Sequence, residues 1–401
     1  HVASPFPRGV GLKRAAGPTG CGAVGKGIGM RWRQMPRVIT MLLVTVSLAC
    51  GGTTAEPTAT PPPTPTEPPT PTATPTPEPT PTLTQEELAT YKPNELGQVM
   101  VLMYHGITED GGEYDRSPDG LRQDLQWLYD HGYYVIPIRD YLTNHISAPP
   151  GKRPVVLTFD DGVVSQFRYL VDENDKKKID PDCAVGILED FFTRHPDFGR
   201  GGLFSILPRA PFAWPDEPEQ MEYAEEKLRF LVEHGYELGN HTLSHANLRE
   251  LSDEEIKAEL AGAVDMIREY VPEAEVEVIA LPFGMYPPGG DDTLLRGFTY
   301  EGREYHFSGA LMVGANPAPS PVDAEFDPFW TPRIQATEDV LAEWFAYAAD
   351  NPGIMYASDG NPDTVTIPET LPAWLAERFM KDRASDKTVI RYPDVADRRG
   401  G

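Results

Sequence analysis

The sequence predicts an α/β fold built on a largely parallel sheet, and three observations carry that expectation. Short apolar runs rich in β-branched residues alternate with segments of helical spacing across residues 99–357. A helix-to-strand phrase occurs twice, as residues 121–129, then Asp130-His131-Gly132 and a strand over 133–138, and as residues 228–233, then His234-Gly235-Tyr236 and a short strand over 237–239. Polar clusters fall where these strands end, and the carboxyl ends of parallel strands form the active face of both open sheets and barrels.

The 401 residues do not all belong to that fold. Residues 1–29 are Gly/Arg/Ala-rich without periodicity and receive no assignment. Residues 30–50 read as an export signal: Arg31, Arg33 and Arg37 precede a short apolar run that ends at Cys50, too short for the roughly 20 residues a bilayer-spanning helix needs. The ending Val46-Ser47-Leu48-Ala49-Cys50 resembles a bacterial lipoprotein signal, with Ser47 where leucine is usual. That resemblance implies a lipidated Cys50 and anchorage on the outer face of the cell membrane; the alternative is an ordinary signal and a secreted protein. Residues 51–95 form a Pro/Thr-rich linker whose repeat, residues 53–84, favours extended polyproline II. About 30 residues at ~3.1 Å each would reach on the order of 90 Å.

Charge and cysteine use narrow the function classes. The formal net charge is -26, and the first fifty residues hold basic side chains and no acidic ones, so their removal makes the chain more acidic still. Nucleic acid is thereby excluded as an expected partner, whereas a neutral or cationic polymer is compatible. With Cys21 in the removed part and Cys50 the lipid site, Cys183 stands alone, so no disulfide framework exists.

Within residues 98–380, taken as the catalytic domain ahead of a polar tail over 381–401, the expected elements follow in order. Residues 99–104 form a strand ending at His105-Gly106, and residues 155–159 a buried strand ending at Asp160-Asp161-Gly162. Residues 172–178 are a charged loop, 183–194 a helix and 202–207 the next strand. Ser252-Asp253-Glu254-Glu255 caps an amphipathic helix to about residue 270; a strand over 276–280 ends at Leu281-Pro282-Phe283-Gly284. Further strands are expected at 309–313 and 353–357, with a helix over 338–349. His131 and His234 are read as helix C-terminal residues favoured by the dipole, and Trp214, Trp330 and Trp344 as core residues by default.

Asp-Asp-Gly alone is an ordinary loop start. Its meaning changes with Gly239-Asn240-His241-Thr242-Leu243-Ser244-His245, where two histidines four apart on a helical turn present both imidazoles to one ion. Two imidazoles and one carboxylate leave positions open, the pattern of a catalytic zinc, and a second carboxylate is then available as proton acceptor.

Thr158-Phe159-Asp160-Asp161-Gly162 together with His241-Thr242-Leu243-Ser244-His245 resembles the polysaccharide deacetylase family, the NodB-homology domain of carbohydrate esterase family 4, over about residues 99–366. The resemblance implies a distorted (β/α) barrel, an acetylated polysaccharide as partner, Asp160 as general base, and Asp161, His241 and His245 as ligands of a divalent metal, usually zinc. The family's Arg-x-Pro-x-Gly reads Ala280-Leu281-Pro282-Phe283-Gly284 here, so its arginine is missing, while Phe283 matches the residue whose backbone N–H helps hold the oxyanion. No histidine follows His306, so the family's late acid is absent. Met103-Tyr104-His105 is similar to the opening of a subgroup that includes exported poly-N-acetylglucosamine deacetylases, which implies His105 as the acid, with His306 the weaker alternative. Arg333, in Thr331-Pro332-Arg333-Ile334, matches a Pro-Arg-Ile segment of that subgroup and is expected to pair with Asp160 or else to serve an ordinary surface role. The expected reaction is N-deacetylation of an N-acetylglucosamine-type polymer; the rivals are O-acetyl ester removal from xylan or peptidoglycan, and a non-catalytic wall-binding lipoprotein.

Overall fold

The computed structural model describes residues 83–109, 112–314 and 316–393. The export signal, Cys50 and most of the linker lie outside the described residues. Among those described, no helix is long and apolar enough to cross a membrane.

The chain enters through helix α1 (Gln85–Tyr91), closed by a Thr84/Glu87 capping box. Strand β1 (Met100–Tyr104) leads to α2 (Pro118–Asp130), which starts with proline at its first turn and Ser117 accepting the Gly120 N–H. Next come β2 (Tyr133–Val135), the short α3 (Ile138–Leu142) and β3 (Arg153–Phe159). The expected charged loop is instead a hairpin of β4 (Tyr169–Val171) and β5 (Lys177–Ile179), because Asp172 accepts the N–H groups of Asn174 and Lys176 and closes the turn. Helix α4 (Ala184–Arg194), β6 (Leu203–Ile206), α5 (Ala224–Glu233) and β7 (Glu237–Asn240) follow. After α6 (Asp253–Tyr270), with its Ser252/Glu255 capping box, come β8 (Val278–Ala280), α7 (Thr293–Arg296) and the hairpin β9 (Gly297–Tyr300) with β10 (Arg303–His306). The chain continues through β11 (Gly309–Leu311), β12 (Ile334–Gln335), α8 (Glu338–Asp350), β13 (Thr364–Pro368), α9 (Ala373–Ala376) and β14 (Thr388–Tyr392).

The main sheet is parallel throughout, in the order β11-β8-β7-β6-β3-β1-β12, with β2 on the first half of β3. One segment joins its two edges. Thr331 bridges Leu311 of β11, and three residues later Ile334 pairs with Leu102 of β1. The sheet thus curls into a distorted (β/α) barrel. Side-chain alternation then separates two cores. Val155, Leu157 and Phe159 face the helices, with Tyr104, Phe159 and Phe204 stacked across three neighbouring strands at 5.2 and 4.7 Å. Val101, Val156, Leu203, Val278 and Leu311 share an apolar cluster on the opposite face, inside the barrel. By the same period of two, Thr158 and Asp160 point inward.

His131 and His234 occupy equivalent helix ends: each ring nitrogen Nδ1 lies 2.8 Å from the carbonyl four residues back, and each ring stacks on the aromatic there, Trp127 or Phe230. Three expectations need correction. Residues 353–357 are no strand: the segment carries only isolated bridges from Met355 and Ala357 to the chain at Gln98 and Asn94. Residues 381–392 are no polar tail, because β14 pairs with β13 in parallel, and Tyr392 donates to the Pro93 carbonyl. Folding likewise begins before residue 98, since Asn94 and Glu95 bond Ala357 and Thr366.

Candidate active site

Parallel strands bring their carboxyl ends to one face, and the polar clusters meet there. Asp160 leaves β3 while its N–H still bonds the Tyr104 carbonyl of β1 at 2.9 Å. Asp161 would then point to the outer face. Instead it adopts φ 78°, and Gly162 follows at φ 65°, turning the second carboxylate toward the barrel mouth.

The Asp161 Oδ1 lies 3.1 Å from His241 Nε2 and 3.4 Å from His245 Nε2. The three donor atoms fall within 4.8 Å of one another. The two histidines do not sit on a helical turn, as their spacing predicts. They flank a turn in which Thr242 and His245 have φ 61° and 57°, braced by Thr242 Oγ1 accepting the Ala246 N–H and by Glu259 of α6 accepting both Ser244 N–H and O–H. His241 is buried, and its Nδ1 lies 2.8 Å from the Ala280 carbonyl. Since a carbonyl only accepts, Nδ1 carries a hydrogen, which in the neutral ring leaves Nε2 with its lone pair facing Asp161. Three such atoms converging on one point call for positive charge among them, a proton on His241 or a cation. The set therefore fits a divalent metal with three protein ligands and open positions.

Arg333 answers the missing family arginine. It is fully buried, with Nη1 and Nη2 donating to the two Asp160 oxygens at 2.8 and 2.7 Å, Nε to the Met312 carbonyl at 2.7 Å and Nη1 also to Thr158 Oγ1 at 3.0 Å. Burial by itself would raise the Asp160 carboxyl, but the guanidinium outweighs it and holds the group far below the usual carboxylate range, with His241 and His105 acting in the same direction. Burial likewise pushes Asp161 upward, and a protonated His241 ring, donating to it, outweighs that and lowers it.

His105 stands at the end of β1 beside the Tyr114 ring, 5.4 Å between centroids. Burial lowers its pKa, against the upward pull of Asp160 and Asp161. Its Nδ1 is buried and meets no hydrogen-bonding partner among the described residues. Phe283 lies in the turn after β8 at φ 58°, its ring 57 % exposed and edge-on to His245 at 4.6 Å. His306 sits on the outer hairpin, exposed and near Glu304.

A groove of about 880 Å³ opens from His105 and Asp161 and is lined by Tyr114, Trp214, Asp119, Asp182 and Arg122 among others. Trp330 is exposed and so, at 53 %, is Trp214, which corrects the default placement of both in the core; of the two, Trp214 lines this groove. It belongs to a loop tied to the catalytic turn, with Val164 N–H donating to the Trp214 carbonyl and Phe212 N–H to that of Gly162. An aromatic residue in an irregular loop carries no periodic signal, so the sequence offered no sign of its exposure.

Residues 207–293, which include His241, His245 and Phe283, match the family model described as polysaccharide deacetylase. Over those residues the chain is similar to the polysaccharide deacetylase family. A putative polysaccharide deacetylase of Bacillus subtilis (strain 168), YxkH, is 22 % identical over 204 residues, 51 % of this chain and 62 % of that protein, so the match spans less than two thirds of the relative. Similar solved structures include IcaB from Ammonifex degensii, 21 % identical over 63 % of this chain and 97 % of that one with a TM-score of 0.44. The Streptococcus pyogenes deacetylase PplD in complex with acetate is 19 % identical, over 59 % of this chain and 91 % of that one, with a TM-score of 0.44. Polysaccharide deacetylases are hydrolases that act on acetylated polysaccharides and are generally metal-dependent, in keeping with the Asp161/His241/His245 cluster.

Proposed function

We propose that this protein is a polysaccharide deacetylase that removes N-acetyl groups from an N-acetylglucosamine-type polymer at the cell surface. The observation that carries the reading is the convergence, at the strand ends, of an Asp/His/His donor set and a buried ionised carboxylate beside a groove that His105 and Asp161 line. Asp161, His241 and His245 hold a divalent ion, zinc being the best match to two imidazoles and one carboxylate. Such an ion supplies Lewis-acid chemistry, polarising the acetyl carbonyl and acidifying water.

The residues of the chain divide the remaining work. Asp160 accepts the proton of the attacking water; because Arg333 depresses its basicity, it suits a water that is already acidified. The Phe283 N–H donates to the oxyanion of the tetrahedral intermediate. His105 gives its proton to the departing amine, which leaves poorly unless protonated. Trp214 and Tyr114 offer ring faces to sugar units in the groove.

Acetate release from N-acetylglucosamine oligomers, with and without chelator, tests the reading. No release from any acetylated glycan, or release that chelator leaves untouched, overturns it. One observation favours a second reading, O-acetyl esterase activity: burial lowers the His105 pKa, and an ester leaving group tolerates a scarce acid better than an amine does. Initial rates on acetylxylan and on N-acetylated oligomers decide between them. The reading places the domain outside the cell, tethered through a lipidated Cys50 and the Pro/Thr linker; a Cys50→Ala protein that still partitions with membranes would refute the tether.

A further inference from the structure

Gln166 lies six residues past Asp160 and is fully buried. Its side-chain amide spans two strand ends. Nε2 donates to the Asp160 carbonyl and, at 3.0 Å, to the His105 carbonyl. These two residues follow the last paired position of β1 and β3, Tyr104 opposite Phe159, and past it only the Asp160 N–H bond to the Tyr104 carbonyl continues the ladder. The neighbouring Ser165 acts on the same segment, its Oγ accepting the Ile107 N–H at 3.0 Å. Both residues are themselves anchored, since the Ser165 and Gln166 carbonyls accept the Ala184 and Val185 N–H groups at 3.1 and 2.9 Å in the first turn of α4.

The arrangement is not the most stable one available to a buried side chain. Gln166 Oε1 is buried without a hydrogen-bonding partner among the described residues, and an unsatisfied buried acceptor costs about 1–3 kcal/mol. An apolar residue would avoid that cost but could not bind two carbonyls.

We propose that Gln166 is a positioning residue that sets the separation of His105 and Asp160 by tying their carbonyls to one amide. The inference rests on the acid and base roles given above. Displacing a reacting group by about 1 Å can cost on the order of 10²-fold in rate, without touching the ligands of a metal or the walls of a binding groove.

Gln166→Met keeps the length and removes both donors, and Ser165→Ala removes the neighbouring clasp. The holoproteins are compared for kcat and KM on an N-acetylglucosamine oligomer, zinc content, and amide hydrogen exchange at Gly106 and Ile107. For Gln166→Met, kcat is expected to fall about 10- to 10²-fold with KM and zinc content unchanged and exchange at Gly106 and Ile107 accelerated. Ser165→Ala accelerates Ile107 exchange, with a smaller loss of kcat. A kcat within about twofold of wild type, a loss explained by missing zinc or by KM alone, or unchanged exchange overturns the proposal. If Gln166→Met does not fold, Ser165→Ala with unchanged kcat and exchange overturns it. If the wild-type protein releases no acetate, the acid and base roles fall, while unchanged exchange still overturns the tether by itself.

Discussion

Arg333 and Asp160 form a two-bonded ion pair inside the barrel, at 2.8 and 2.7 Å, with both side chains almost wholly removed from solvent. Paired this way the charges are tolerated, and removal of either leaves the other buried alone. Arg333→Met should therefore destabilise the domain by about 3–5 kcal/mol and lower Tm by on the order of 10 °C. Arg333→Lys should rescue little, because an ammonium cannot match both oxygens in plane. Calorimetry on the two variants checks this; a wild-type Tm for Arg333→Met would refute the pair's importance.

His105 sits apart from Asp161, His241 and His245 in the sequence, and its Nδ1 meets no hydrogen-bonding partner among the described residues. His105→Ala should keep its zinc and lose about 10²- to 10⁴-fold in kcat on N-acetylated oligomers, the usual contribution of a general acid. Near wild-type turnover would remove His105 from the mechanism.

His245→Ala deletes one of the three donors in the Asp161/His241/His245 set. Zinc content measured after dialysis should drop, and acetate release with it. Chelator treatment of the wild-type protein should do the same, with recovery on adding zinc. A variant that retains full zinc would mean that the ion sits elsewhere.

Phe283 holds φ 58° with its ring largely in solvent, a conformation that strains any residue with a Cβ by about 1–2 kcal/mol. Phe283→Gly relieves the strain and leaves the N–H in place, so Tm should stay level or rise slightly while KM for oligomers increases. A marked fall in Tm would show that the ring contributes to stability and not to binding.

Stability should decline between pH 5 and 7. Burial, with the Asp359 charge adding to it, pushes Glu95 up to about 8, and burial pushes Glu237 up to about 7. Both are protonated in the fold at pH values where the unfolded chain has released its protons, so their contribution is complete below about 4.5 and is lost as pH rises through the folded values. Lys227, lowered to about 7 by burial, acts in the opposite sense only above that pH, where the slope should flatten. Scanning calorimetry of the zinc-loaded protein, in which His241 and His245 are held by the ion and His105, lowered by burial, offsets part of the decline, should give a Tm that falls over that interval. A flat or rising Tm would contradict these shifts.

Local pattern was enough for the strands and helices that carry the site. The apolar run ending in Asp160-Asp161 and the Ser252/Glu255 cap could be read directly, because period and capping chemistry are local properties. The β4–β5 hairpin escaped notice because its strands are three residues long, the segment between them is mostly charged, and its turn is made by one Asp172 side chain. The pairing of β13 with β14 escaped because two short parallel strands show themselves only through each other. The left-handed backbone at Asp161, Thr242, His245 and Phe283 had no signal, since none is glycine and the surrounding contacts impose the conformation.

By itself the sequence determined which residues could do chemistry and, through the two-residue period of β3, that Asp160 faces the barrel interior while Phe159 faces the helices. Only the tertiary structure decided their company. Arg333 reaches Asp160 across 173 residues, and His241 reaches Asp161 across 80. Separation along the chain says nothing of distance once parallel strands deliver their ends to a common face, and a carboxylate buried there persists only where some strand end supplies a cation. Here the segment that closes the barrel supplies it.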